Sequence, residues 1–437
     1  MELAGCRATV MGLGHFGGGV AVARWLAAQG AEVTVTDQAA AHQLVSSLEQ
    51  LAEVPIARYR WGGHREADFL DIDLLVVNPA VRPGNRFVEM ARQAGARITT
   101  ELELFLQHNP AGTIGITGSN GKSTTAAMLA AILRADGRNA WLGGNLGGSL
   151  LEHLDAMEPR DWVVLEMSSF QLARLGPTAP PPRVAIVTSF APNHLDWHGD
   201  LAHYRAAKRS LFLRQSESNL TVLNTLDAEV ATWLPMVQGK QVALPPLGDL
   251  PSLRVPGWHN RANAACAAAA ADALGCSAGA IRQALGRFCG LPERLELLAT
   301  LGGVRVYNDS AATTPESTLA ALTAIREPIW LLAGGHDKGL SHASLAAEIA
   351  ERCRGAAFFG SARERLREHV TACGSATSCT TVESLPEAFA WCWERARPGE
   401  AILLSPACSS HDQFLNYRHR SSVFRTLVET QPKRYNR

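Results

Sequence analysis

Short apolar runs separated by stretches with helical periodicity recur three times along the chain. Ala8-Thr9-Val10-Met11 leads into a glycine turn, and a helix is predicted from about Gly17 to Gln29, ended by Gly30. Glu32 to Thr36 and Leu74-Leu75-Val76-Val77 are predicted strands, so the first hundred residues describe a parallel α/β unit. The pattern restarts at Thr113-Ile114-Gly115-Ile116, which feeds a second glycine turn and a helix from about Lys122 to Asp136. Trp162-Val163-Val164-Leu165 and Val184-Ala185-Ile186-Val187 are uninterrupted apolar runs, as strands buried on both faces require. Asn263 to Leu274 is alanine-rich and reads as a core helix. Beyond Leu291-Pro292-Glu293-Arg294 a third series begins, with strands at Val304–Tyr307, Ile329–Leu332, Ala356–Phe359 and Ala401–Leu404. The expected fold is α/β in three domains: a Rossmann-like unit over 1–103, a parallel sheet over 104–293 and a second Rossmann-like unit over 294–437.

Charge narrows the partners. Lys+Arg and Asp+Glu both number 41, so no global basic field exists to attract nucleic acid or an acidic membrane. The nine cysteines are scattered without a C-x-x-C pair, which speaks for reduced thiols rather than zinc or disulfides. No signal-peptide pattern and no apolar run of about 18 residues is present, so a cytoplasmic protein without membrane insertion is expected. A monomer is the expected state.

Gly12-Leu13-Gly14-His15-Phe16-Gly17 fits G-x-G-x-x-G between a strand and a helix, and Asp37 ends the next strand where a ribose-binding acid would sit. Such a turn presents backbone N–H groups to a pyrophosphate, whichever nucleotide carries it. By itself it also suits an NAD-dependent oxidoreductase, although no hydride-handling site announces itself.

The second turn, Thr117-Gly118-Ser119-Asn120-Gly121-Lys122-Ser123-Thr124, carries the G-K-S-T core of an ATP-binding phosphate loop, which makes the central domain P-loop ATPase-like. Ile116 stands where the full pattern has glycine. Gly118 and Gly121 let the backbone curl round the phosphates, Lys122 neutralises them, and the Ser123 hydroxyl is offered to Mg²⁺. Metal ligands are expected at the carboxyl ends of neighbouring strands. Glu166 follows the Trp162 run, and His194, in Asn193-His194-Leu195-Asp196, follows the Val184 run. A capping acid on the following turn is the other reading of Glu166. Lys208, beside Tyr204-Arg205-Ala206-Ala207, reads by itself as a solvated helical lysine.

These stretches, in this order, resemble the Mur ligase family. Further matches are Glu166-Met167-Ser168-Ser169-Phe170-Gln171-Leu172, Gly257-Trp258-His259-Asn260, Asn308-Asp309-Ser310 and Leu404-Ser405-Pro406-Ala407-Cys408-Ser409-Ser410, so the likeness spans nearly the whole chain. The resemblance implies an ATP-dependent ligase that joins glutamate to UDP-N-acetylmuramoyl-L-alanine in peptidoglycan precursor synthesis, D-glutamate being favoured. It implies that the first domain holds the UDP-linked substrate, with Gly14, His15 and Phe16 at the pyrophosphate and Asn145 at the sugar-linked portion. Gly118 to Thr124, Asn263, Arg294 and Asp309 would bind ATP. Two Mg²⁺ ions are implied: one held by Ser123 and Glu166, the other by His194 and Lys208 as its carbamate. Thr313, Lys338, Ser410 and Tyr417 would receive the amino acid.

Two departures stand out. Gln38-Ala39 replaces the family's Thr-Arg, and Ala311 replaces its lysine in Asn308-Asp309-Ser310-Ala311-Ala312-Thr313, removing a cation beside the amino-acid site. L-Glutamate is therefore kept as an alternative substrate. An NAD-dependent oxidoreductase and a silent nucleotide-binding scaffold are the readings from other classes.

Overall fold

The computed structural model describes residues 2–14, 17–337, 339–374 and 377–431. By contacts the chain divides into two compact units, 1–251 with 262–285 and 252–261 with 286–437.

The first unit holds two parallel sheets. The N-terminal one comprises β1 (Arg7–Met11), β2 (Glu32–Thr36), β3 (Arg58–Arg60), β4 (Leu74–Val77) and β5 (Arg97–Thr99), ordered β3-β2-β1-β4-β5. The second comprises β6 (Gly112–Thr117), β7 (Ala140–Gly144), β8 (Trp162–Glu166), β9 (Val184–Val187), β10 (Leu220–Leu223) and β11 (Lys240–Val242), ordered β11-β10-β9-β6-β8-β7. β4, β8 and β9 are buried at every position, which explains their unbroken apolar sequences. In each sheet the chain winds to one side of its first strand and then to the other. The crevice this leaves at the carboxyl ends is the customary ligand site of such sheets. Both glycine turns lie there, after β1 and after β6.

One hydrophobic core runs through this unit. Leu26 of the helix Gly18–Ala28, Phe105 of the helix Glu101–His108, and Leu151 and Val163 beside β7 and on β8 belong to it, all at most 1% exposed. Burial of this apolar surface, at about 25 cal/mol per Å², stabilises the packing of the two sheets, and a second cluster gathers around Met11, Phe69 and Phe87. The alanine-rich helix starts earlier than expected, at Trp258, and ends at Ala273.

The second unit holds β12 (Glu296–Leu301), β13 (Val304–Asn308), β14 (Ile329–Gly334), β15 (Cys353–Phe359), β16 (Ser378–Thr381) and β17 (Ala401–Ala407), ordered β12-β13-β17-β14-β15-β16. All pair in parallel except β12, which forms an antiparallel hairpin with β13 across Gly302-Gly303. All nine cysteines are free thiols. No helix among the described residues is long and apolar enough to cross a membrane.

Candidate active site

The phosphate loop joins β6 to the helix Lys122–Ala135, whose N-cap residue, Gly121, brings no side chain of its own. Its first N–H groups therefore face the turn, as an anion site requires. Gly121 holds φ 84°, and a Cβ there would lie 2.2 Å from Asn263 Oδ1. Only glycine fits both the conformation and the space. Asn263, buried on the helix Trp258–Ala273, is thus brought onto the loop. The loop's other wall is β9: Asn120 O accepts from Thr188 Oγ1 (2.5 Å) and Ser189 Oγ (3.0 Å), and Asn120 N–H donates to Ser189 Oγ at 2.9 Å. Ser119 Oγ donates to Ala191 O at 2.8 Å. Thr124 is the third residue of the helix.

Two lysines converge on this loop. Lys122 Nζ donates to Gly118 O and Ser119 O, each at 2.9 Å, and Lys208 Nζ donates to the same Gly118 O at 2.7 Å. Lys208 is 2% exposed, so the solvated helical lysine suggested by its sequence context is overturned. Its helix, Leu201–Leu213, directs the face bearing Tyr204 and Lys208 inward, four residues apart. Desolvation, and next the charge of Lys122, hold the Lys208 pKa well below the usual lysine range, with Glu166 acting in the opposite direction. Tyr204, unremarked in the sequence, places its ring 4.6 Å from Lys208 Nζ and its hydroxyl 2.9 Å from Ser119 Oγ.

Glu166, 1% exposed at the end of β8, accepts from Ser123 Oγ at 2.5 Å and from Asn145 Nδ2 at 3.0 Å. The capping reading of Glu166 fails, because Ser168 caps the next helix in a reciprocal box with Gln171. A buried carboxylate facing a serine hydroxyl is a hard-oxygen pair suited to Mg²⁺, so these two residues fit that ion. Among the described residues no three His, Cys, Asp or Glu side chains form a ready-made metal cluster. His194 takes φ 55° after β9, with its ring 4.6 Å from Phe170 and 6.5 Å from Tyr204. His198, also missed, is buried, bonds Ser169 Oγ at 3.0 Å, and is pushed down to about 4 by desolvation and then by Lys208.

At the first glycine turn, Asp37 Oδ2 accepts from Leu13 N–H (2.8 Å) and Gly14 N–H (3.2 Å), while Oδ1 accepts from Ala39 N–H at 2.8 Å. The acid that an oxidoreductase would turn toward ribose is here bonded to its own loop. His15 and Phe16 lie outside the described residues, as does Lys338.

In the second unit the expected residues gather along one sheet edge. Asp309 follows β13, Ser410 follows β17, and Thr313 lies just before Thr314, the N-cap of the helix Pro315–Ala324. Tyr417 opens the last helix, and its carbonyl accepts from Ser310 Oγ at 2.8 Å. Arg420, fully buried, donates to Ser310 Oγ, Ser310 O and Cys408 O at 3.1, 2.9 and 3.3 Å. The segment beside Ala311 is therefore tied down by a guanidinium.

Asp309 accepts from Ser405 Oγ at 2.7 Å and Leu295 N–H at 3.0 Å, and Arg294 lowers its pKa electrostatically. Desolvation outweighs these and raises it from 3.8 to about 7. Between those values the folded chain keeps a proton that the unfolded chain has released, so stability falls as pH rises from about 4 to about 7. Asp309→Asn is expected to flatten this dependence in the ligand-free protein. Thermal midpoints at about pH 5 and about pH 8 test it, and an unchanged difference between the two would contradict a neutral Asp309.

Three stretches of the chain match known family domains. Residues 6–100 match the "Mur ligase MurD-like, N-terminal domain", residues 116–245 the "Mur ligase middle domain" and residues 293–408 the "Mur ligase, glutamate ligase domain". The chain is 38% identical to the UDP-N-acetylmuramoylalanine--D-glutamate ligase of Roseiflexus sp. (strain RS-1), over 98% of this chain and 100% of that one. It is 35% identical to the protein of the same name from Symbiobacterium thermophilum, over 97% and 98%. In fold it resembles the crystal structure of UDP-N-acetylmuramate-alanine ligase MurC from Thermotoga maritima, with a TM-score of 0.64 at 20% identity, covering 97% and 99%. Matches of this identity along nearly the whole length place the chain in the Mur ligase family.

Proposed function

We propose that this chain is an ATP-dependent, amide-bond-forming ligase that joins D-glutamate to UDP-N-acetylmuramoyl-L-alanine in peptidoglycan precursor synthesis. The observation carrying the reading is the phosphate loop, with Lys122 over its carbonyls and the Ser123–Glu166 pair beside it. The reaction has two stages. The γ-phosphoryl of ATP passes to the alanine carboxylate, giving an acyl phosphate and ADP, with the Lys122 ammonium drawn off the loop carbonyls to the phosphates. The amino group of glutamate then attacks the acyl carbon, and phosphate leaves as the amide forms. Activation is needed because an oxide is a poor leaving group at neutral pH. Mg²⁺ held by Ser123 and Glu166 would offset charge on the transferring phosphoryl group. Water must be kept from the acyl phosphate, so closure before chemistry is expected.

Finer assignments belong to the same proposal. The domains run over 1–103, 104–293 and 294–437. Lys208 reacts with CO₂, its neutral amine forming a carbamate and releasing a proton, and with His194 it holds a second Mg²⁺. Burial and the depressed pKa support that neutral amine. Asn263, Arg294 and Asp309 bind the nucleotide. Gly14, His15, Phe16 and Asn145 receive the UDP-linked substrate; since Gly14 N–H is bonded to Asp37, the remaining donors of that turn carry the pyrophosphate. Thr313, Lys338, Ser410 and Tyr417 hold the glutamate. The enzyme acts as a cytoplasmic monomer and has no nucleic-acid partner.

A phosphate-release screen with UDP-N-acetylmuramoyl-L-alanine against D- and L-amino acids tests the function. Ala311, where the family has lysine, favours one second reading, the same ligation with L-glutamate. D-Glutamate is expected to have the higher kcat/KM, and Lys338→Ala is expected to lower it roughly a hundredfold by leaving a carboxylate without its charged partner. A preference for L-glutamate would reverse the stereochemical assignment alone. A preference for a neutral amino acid, or an unaffected Lys338→Ala, would remove the dicarboxylate pocket.

A further inference from the structure

The end of β7 and the loop after it carry four glycines in six residues, Gly143-Gly144-Asn145-Leu146-Gly147-Gly148. So many glycines leave its conformation to a few anchoring bonds. At its near end Asn145 is fixed twice, by N–H to Glu166 O at 2.9 Å and by Nδ2 to Glu166 Oε1 at 3.0 Å. Gly144 N–H closes the loop on Gly148 O at 2.9 Å. At the far end Ser149 Oγ donates to Glu101 Oε1 and accepts from Leu151 N–H at 3.3 Å.

Glu101 opens the helix Glu101–His108, which follows the N-terminal sheet directly and leads into β6. The loop's far anchor thus comes from the segment linking the two sheets. Two residues on, Glu103 accepts from Gly176 N–H at 3.1 Å and from Thr178 Oγ1 and Gln107 Nε2 at 3.2 Å each, a carboxylate held by several donors. Among the described hydrogen bonds of the Glu101 side chain, Ser149 is the one partner. Desolvation raises the pKa of the partly buried Glu101 carboxyl to about 7, with the Ser149 hydroxyl pulling it down.

We propose that Glu101 is a positioning residue for the Asn145 loop, fixing it through Ser149 so that Asn145 stays on Glu166 and faces the UDP-linked substrate. The assignment rests on the reading of Asn145 given above. Glu101→Ala and Ser149→Ala are each expected to raise KM for UDP-N-acetylmuramoyl-L-alanine roughly tenfold, with smaller changes in kcat and none in KM for ATP. The double variant should be no worse than Ser149→Ala alone, because that variant already removes the one bond lost in Glu101→Ala. Glu101→Gln keeps a carbonyl acceptor and should restore KM. Hydrogen exchange across 143–150 should quicken in Glu101→Ala, whatever the substrate proves to be. Additive effects, a parallel rise in every KM, or unaltered exchange in the loop overturns the proposal. A wild-type protein that fails to turn over the UDP-linked substrate defeats the functional reading instead, and exchange still decides whether Glu101 holds the loop.

Discussion

Replacing Lys122 with alanine should abolish phosphate release that in the wild-type protein requires ATP, UDP-N-acetylmuramoyl-L-alanine and glutamate together. The lysine stands at the first helical position of the phosphate loop, within 2.9 Å of two loop carbonyls. Charge developing on the transferring phosphoryl group has no equivalent replacement at that point. A loss of about a thousandfold or more is expected, which at about 1.4 kcal/mol per decade is roughly 4 kcal/mol of transition-state stabilisation. Since the side chain also bridges Gly118 and Ser119, thermal unfolding has to be measured beside activity. A variant that melts normally and is inactive supports the assignment. Turnover with ATP alone, or an unimpaired Lys122→Ala, removes it.

Lys208→Ala should be nearly as severe and, unlike Lys122→Ala, partly reversible. Its amine is enclosed and donates to the same carbonyl as Lys122, and desolvation and that neighbouring charge lower its pKa well below the usual lysine range, which favours the neutral amine needed to capture CO₂. Removing the carbamate removes an anionic oxygen donor, so kcat should drop about a hundredfold or more. Acetate or a similar short carboxylate can enter the space left by the side chain and return such an oxygen. Depleting CO₂ should slow the native enzyme in step. A fully active alanine variant would falsify the carbamate. Inactivity without rescue, combined with indifference to CO₂, would leave Lys208 as a brace for the loop carbonyl.

Much of this architecture was legible in the sequence. β4, β8 and β9 announce themselves as unbroken apolar runs because both faces of each strand are covered. The edge strands do not: Arg58–Arg60, Lys240–Val242 and Ser378–Thr381 are short and polar, with one face and one edge open to water. Within the site, the glycine turns and Glu166 are readable because strand, turn and helix fix them locally. Lys208 is named by the family resemblance but reads on its own as a solvated helical lysine, and Tyr204 has no role there, since what makes both chemical is contact with residues about ninety positions away. The helix Glu101–His108 and its two anchoring carboxylates were missed for the same reason, and the commitment of Asp37 to its own loop follows from a turn closing on it.

The contact of Asn263 with Gly121 restricts the paths by which such a sequence can diverge. A single methyl at position 121 would collide with a side chain more than a hundred residues downstream, at 2.2 Å, in a backbone conformation that already disfavours it. A larger residue at 121 would have to push the Asn263 amide aside. A side chain at 121 would therefore need both space yielded by Asn263 and a strained backbone, so the phosphate loop is constrained from the alanine-rich helix as well as by its own turn.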